Sequence, residues 1–156
     1  MNWLSDLRKN RFLRISLTSW LLAQVSKTLI YAIKTGKLEM TRLLGDGGMP
    51  SGHAATVTSL AAASALEFGT DSFAFALSTV LALVVCHDAM GVRLETGKQA
   101  AAINELLKGL PSAGEKVKLK EFVGHTPSQV IAGVLLGAAN AIVMERLLTG
   151  PGKGTV

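Results

Sequence analysis

The sequence predicts an all-α integral membrane helical bundle of about four main helices, forming one membrane-embedded domain over residues 1–156. Three observations carry this. Apolar residues make up 49% of the 156 positions and aromatics only 5%. The mean hydropathy is +0.38, greasier than a soluble domain of similar charge content. The apolar residues also collect in four runs separated by Gly, Ser, Thr, Asp and Pro, and most charges fall outside those runs. The length argues for one domain, and a compact soluble helical domain is the competing architecture.

Taken in order, residues 1–12 form a basic N-terminal segment whose Arg8, Lys9 and Arg11 continue to Arg14. The first apolar run, Leu13–Ile33, is long enough to span but holds Lys27. That lysine, the length of the run and the lack of a small-residue cleavage site argue against a signal peptide. The second run, Ala54–Leu66, is free of charge but short. A spanning helix needs about 17–20 residues, so this one must extend from about Ser51 to Phe68. The third, Ser72–Cys86, runs into His87-Asp88 and reaches spanning length if it continues to Met90. The fourth, Phe122–Met144, has no Asp, Glu, Lys or Arg.

Helix-start chemistry supports these divisions. Ser51 is placed to cap the second helix, and Asp71 or Ser72 the third. Thr126, Pro127 and Gln129 read as N-cap, first helical residue and capping-box partner of the fourth. Gly133 and Gly137 on that helix make a G-x-x-x-G face that lets another helix come close. In the polar 92–121 segment, Ala100, Ile103, Leu106 and Leu107 mark a short amphipathic helix. A flexible basic loop is expected from Gly109 to Lys118, and a flexible tail over 150–156.

Composition also excludes. Cys86 is the lone cysteine, so neither an intrachain disulfide nor a thiolate metal cluster can form. No basic stripe interleaved with aromatics points to nucleic acid. Gly91, Gly97 and Lys98 are wrongly spaced for a phosphate loop, and Gln99 stands where Ser or Thr is needed. His53, His87, Asp88 and His125 could offer metal ligands, but no pair has the i, i+3 or i+4 spacing of a local chelate. The reading therefore assigns no metal and no cofactor.

A chain crossing at each run gathers Lys34, Lys37, His53, His87, Asp88, Arg93, Lys98, Lys118, Lys120 and His125 on one side. Two of the three histidines, His53 and His125, sit at helix N-termini. There, unpaired amides and the helix dipole favour an oxyanion. Gly47, Gly48 and Gly52 leave backbone open to a ligand, and the cations could neutralise a phosphoryl group. Two histidines can then share the work, one attacking phosphorus and one protonating the leaving oxygen.

Pro50-Ser51-Gly52-His53, followed about seventy residues later by "GHTPSQVIAGVLLG" (Gly124–Gly137), resembles the type 2 phosphatidic acid phosphatase and vanadium haloperoxidase superfamily. The stretch "HDAMGVRLETGKQA" is similar to its small, divergent membrane branch. The resemblance implies an all-helical fold and phosphomonoesterase-like hydrolysis of a lipid-linked phosphate or diphosphate. The reaction would pass through a phosphohistidine, with no metal. It implies His125 as nucleophile, His53 as general acid, Ser51 and Gly52 as donors to phosphate, and Lys27 as the lysine of the first motif.

The chain departs from the pattern in three places. Lys34-Thr35 stands where Arg-Pro is expected. Lys118-Leu119 replaces the Ser-Arg of the third motif, with Lys118 or Lys120 as substitutes. Gln129 replaces the aspartate that orients the nucleophile. Asp88 or Glu121 could supply the missing carboxylate, and Arg93 the missing guanidinium. The departures leave a second reading: a catalytically degenerate membrane protein that binds phospholipid headgroups or acts as a scaffold. Expected partners are membrane lipids and a phosphate-bearing lipid substrate, without nucleic acid. The positive-inside rule sets no orientation, because a phosphate site claims the same Lys and Arg residues.

Overall fold

The computed structural model describes residues 2–45, 47–109, 118–121 and 123–149. Among these residues six helices run in the order α1 (Trp3–Lys9), α2 (Arg11–Thr35), α3 (Gly52–Phe68), α4 (Phe73–Met90), α5 (Val92–Lys108) and α6 (Pro127–Thr149), with a 3₁₀ turn at Met40–Leu44. No strand occurs among the described residues. The four apolar runs are the cores of α2, α3, α4 and α6, and the amphipathic segment is α5. Most of the expected basic loop, and the 150–156 tail, lie outside the described residues.

The capping residues act where the sequence places them. Ser51 Oγ accepts from Ala54 N at 3.3 Å, and Ser72 Oγ accepts from Phe75 N at 3.1 Å. Gln129 Oε1 reaches back to accept from Thr126 N at 3.1 Å, the return bond of a capping box. α6 starts at Pro127, five residues into the charge-free run. Gly124, at φ +87°, takes the backbone through a left-handed turn that interrupts any helix.

α3 is the central helix and packs against α2, α4 and α6. Its buried residues are Gly52, Ala54, Ala55, Ser59, Ala61, Ala63 and Ser64. Against it lie Gly133 and Gly137 of α6. A β-carbon at 133 would run into Ser51 O, and one at 137 into Ala55 O. The glycine face thus sets the two backbones in direct contact, as close packing within a membrane requires. It also fixes the N-termini of α3 and α6 side by side.

The helix surfaces are inverted relative to a soluble bundle. α2 buries Ser16, Ser19, Gln24, Lys27 and Thr28, while Leu17, Leu21, Leu29 and Ile33 face outward. On α4, Phe73, Leu77, Val80, Leu83 and Val84 are exposed; on α6, Ile131, Leu135, Val143 and Leu147 are exposed. Across the inner face, Asn140 Nδ2 donates to Ser19 Oγ at 2.7 Å, with Ile15 O and Thr18 Oγ1 close by. Polar contacts inside and large apolar side chains outside describe a bundle whose solvent is hydrocarbon. Among the described residues two stretches are long and apolar enough to cross a bilayer, the α4–α5 run and α6. α2 has the length, but its polar residues serve the interior, and α3 is sheltered by its neighbours.

Candidate functional site

The site forms where α3 and α6 begin. Ser51 N donates to Gln129 O at 2.9 Å, tying the two helix starts together by backbone. This brings the rings of His53 and His125 to a centroid separation of 5.9 Å in an edge-on arrangement. Trp20, Gln24 and Lys27 of α2 close the third side, and with Gly45, Gly52, His53 and His125 they line a cavity of about 90 Å³. That volume suits a single phosphoryl-sized group, well below the ~300–1,000 Å³ of pockets for drug-sized ligands.

Lys27 is buried, with Nζ 3.4 Å from Gly45 O. Its stem passes under Gly48, which has φ +85°. The left-handed conformations of Gly47 and Gly48, costly for other residues, lead into the cis Met49–Pro50 bond and then Ser51. Buried Ser51 spends its hydroxyl on the cap of α3 while its backbone bonds α6.

His125 is 2% exposed. Its Nδ1 lies 3.3 Å from Gln129 Oε1. Because that oxygen also accepts from Thr126 N, the amide orientation is fixed and Nδ1–H is the donor. In the neutral ring Nε2 then carries the lone pair. Burial pushes the His125 pKa below its ordinary value, against the lift from the Gln129 hydrogen bond. The charge of Lys27 and the neighbouring His53 lower it further, and a hydrogen bond to the Gly48 backbone raises it. Burial, the largest of these causes, thus favours the neutral ring.

The loop carrying His125 is braced by α5. Asn104 Nδ2 donates to Leu119 O and Glu121 Oε1, both at 2.8 Å, and Leu119 N donates to Asn104 Oδ1 at 2.9 Å. The backbone at Glu121 and Val123 lies directly on Gly97, and that of Gly124 on Leu94. His125 N then donates to Ala89 O at the end of α4, at 2.9 Å. Sequence reasoning assigned no role to Asn104, Gly97, Trp20 or Gln24. The signal for Gln24 and Trp20 was their spacing from Lys27, which puts them on one face of α2 at i−3 and i−7.

The remaining sequence candidates lie elsewhere. Lys34 is exposed, as are Lys118 and Lys120, and none of the three lines the cavity. Asp88 Oδ2 is 3.3 Å from Arg93 Nε, an ion pair made as Gly91 turns the chain from α4 into α5. Asp88 and His87 line a separate, largely apolar groove of about 670 Å³ with Leu83, Val84, Cys86, Met90 and Val92. His87 thus shares the site's end of the bundle but not its cavity. Glu121 is engaged with Asn104. Among the described residues no three His, Cys, Asp or Glu side chains cluster to share a metal ion.

Comparison with known proteins agrees with this architecture. The chain is 40% identical over 152 residues to the uncharacterized membrane protein YuiD of Bacillus subtilis (strain 168), covering 89% of this chain and 96% of YuiD. No solved structure matches it. With its outward apolar surface and two membrane-length stretches, the chain is an integral membrane protein. Residues 8–140 match the divergent PAP2 family, and the chain belongs to that family, which relates it to the phosphatases.

Proposed function

We propose that the protein is a phosphomonoesterase acting on a lipid-linked phosphate or diphosphate. The observation that carries this is the pairing of His53 and His125 at 5.9 Å in a cavity shared with buried Lys27, at two adjoining helix N-termini. Lys27 and the N-terminus of α3 would hold the phosphoryl oxygens. His125 Nε2 attacks phosphorus as the bond to the ester oxygen breaks, and protonated His53 gives its proton to the departing alcohol. Water then attacks the phosphohistidine, losing a proton to His53 and releasing inorganic phosphate. Gln129 supports the first step by holding the attacking tautomer. A lipid-linked substrate fits a head-sized cavity in a bundle whose outer surface is hydrocarbon-like.

One observation favours the second reading, headgroup binding without turnover. Gln129 stands against His125 as a neutral amide, while Asp88 and Glu121 are engaged with Arg93 and Asn104. In a serine-hydrolase triad, replacing the orienting aspartate by an amide costs about 10⁴ in rate. Phosphate release from a panel of lipid phosphates separates the readings. The purified protein is expected to release phosphate at a rate that His125→Ala reduces by at least about 10³, and His53→Ala by about 10²–10⁴. Equal rates in all three proteins would remove the enzyme reading.

A further inference from the structure

The cavity contains a hydrogen-bond acceptor that the catalytic scheme does not use. Gln24 is 5% exposed, and its Nε2 donates to Leu43 O at 2.7 Å. That bond fixes the amide: flipped, Oε1 would face the Leu43 carbonyl, acceptor against acceptor. Gln24 lines the cavity, and with Nε2 turned to Leu43 its Oε1 lies buried at the cavity wall on the side of α3. It would lie 3.6 Å from a β-carbon on Gly52, beside the first turn of α3. Among the described residues this buried oxygen has no hydrogen-bond partner. A buried acceptor left unmatched is costly, and its position next to the expected phosphate amides suggests what matches it.

We infer that Gln24 is a specificity-determining residue that accepts a hydrogen bond from a protonated phosphate oxygen. This rests on the phosphate reading of the cavity and narrows it. Lys27 and the helix-start amides are donors and favour any tetrahedral oxyanion. Gln24 is an acceptor, and only an anion that keeps an O–H can satisfy it. A phosphomonoester monoanion has that group; a phosphodiester and sulfate do not. The site then selects a terminal, singly protonated phosphate and disfavours phosphodiesters. For a dianion, Oε1 would face a bare phosphate oxygen and repel it.

The test uses the purified full-length protein in detergent micelles, with inorganic phosphate and sulfate as probes in calorimetric titrations. At about pH 6 phosphate still carries a proton and sulfate carries none. Wild type is expected to hold phosphate about tenfold or more tighter than sulfate. Gln24→Met keeps the side-chain shape and removes the acceptor. It should weaken phosphate binding by about tenfold and leave sulfate unchanged or bound more tightly, so that the preference collapses.

Gln24→Glu retains an acceptor. It should bind both anions more weakly because of its charge, yet still prefer phosphate. That variant and the wild-type ratio carry the test if Gln24→Met does not fold. Equal binding of the two anions by wild type, or an unchanged ratio in Gln24→Met, would remove the role of Gln24 while leaving the anion cavity standing. Folded wild-type protein that binds neither anion would remove the phosphate reading, and this inference with it.

Discussion

The two ends of the bundle handle buried charge in opposite ways. At the end where α2 begins and α3 and α6 finish, Arg11 bonds Glu67 and lies 3.6 Å from Glu145. Phe12 stacks on Phe68 beside them at 5.4 Å. One cation is shared by two carboxylates, and the charges answer each other within the chain. At the other end, the ring of His125 is surrounded by Lys27, His53, the Gln129 amide and the Gly48 backbone. Two helix N-termini add positive potential. The first arrangement is a lock. The second gathers a cation, imidazole rings and helix-start amides around one small cavity, an arrangement that suits an anion in a low-dielectric setting.

Substitutions at the two ends should therefore separate stability from anion binding. The largest effect expected is on packing between them. Gly137→Leu drives a side chain into the Ala55 carbonyl and should cost more than about 3 kcal/mol, seen as loss of the folded species on thermal denaturation in detergent. Arg11→Met comes next. It strands buried Glu145 and should destabilise the protein by roughly 1–3 kcal/mol, below the 3–5 of a fully buried pair because Glu67 is partly exposed. Phosphate affinity measured on the folded fraction should stay within about twofold of wild type.

Lys27→Met is the converse, read in binding: about tenfold or greater loss of phosphate affinity in the folded protein. A folded Lys27→Met protein that binds phosphate as tightly as wild type would overturn the contrast between the ends.

The smallest effect is on pH dependence. The folded His125 pKa is lowered, so His125 should titrate below about 6.5 by NMR. As pH falls below that value the unfolded chain takes up a proton that the folded ring refuses. Stability then declines down to the folded midpoint and is level below it. Gln129→Glu would place a carboxylate at the ring, lift the midpoint and shrink that decline.

Much of this was legible in the sequence because it depends on local rules. Ser51, Ser72 and Gln129 are capping residues wherever they precede an apolar run, and Gly133 and Gly137 permit close approach wherever they lie on one helix face. Those features deliver the helices and bring His53 to His125. What stayed hidden depends on distance along helices. Lys27 and Lys34 share a face of α2, but seven residues of helix separate them by about 10 Å, which leaves Lys34 at the exposed end. Asp88 is adjacent in sequence to Ala89, which anchors His125, yet the turn at Gly91 returns Arg93 to it. Gln24 belongs to no motif. Its role emerges only once Leu43 fixes its amide, a contact nineteen residues away.

The short turn between α3 and α4, at Gly69–Ser72, bears on how the protein enters its membrane. α3 is 17 residues of largely Ala, Ser and Thr, and such a helix gains little by partitioning into lipid alone. α4 follows after four residues and carries Phe, Leu and Val on its outer face. The two are tethered too tightly to insert far apart, so α4 supplies the driving force that carries the His53 helix into the bilayer. α6 is synthesised after both, and its Gly face is the partner that shelters α3 on the side bearing Ser51. During biogenesis His53 is thus in place before His125, and the cavity comes into being only when α6 docks.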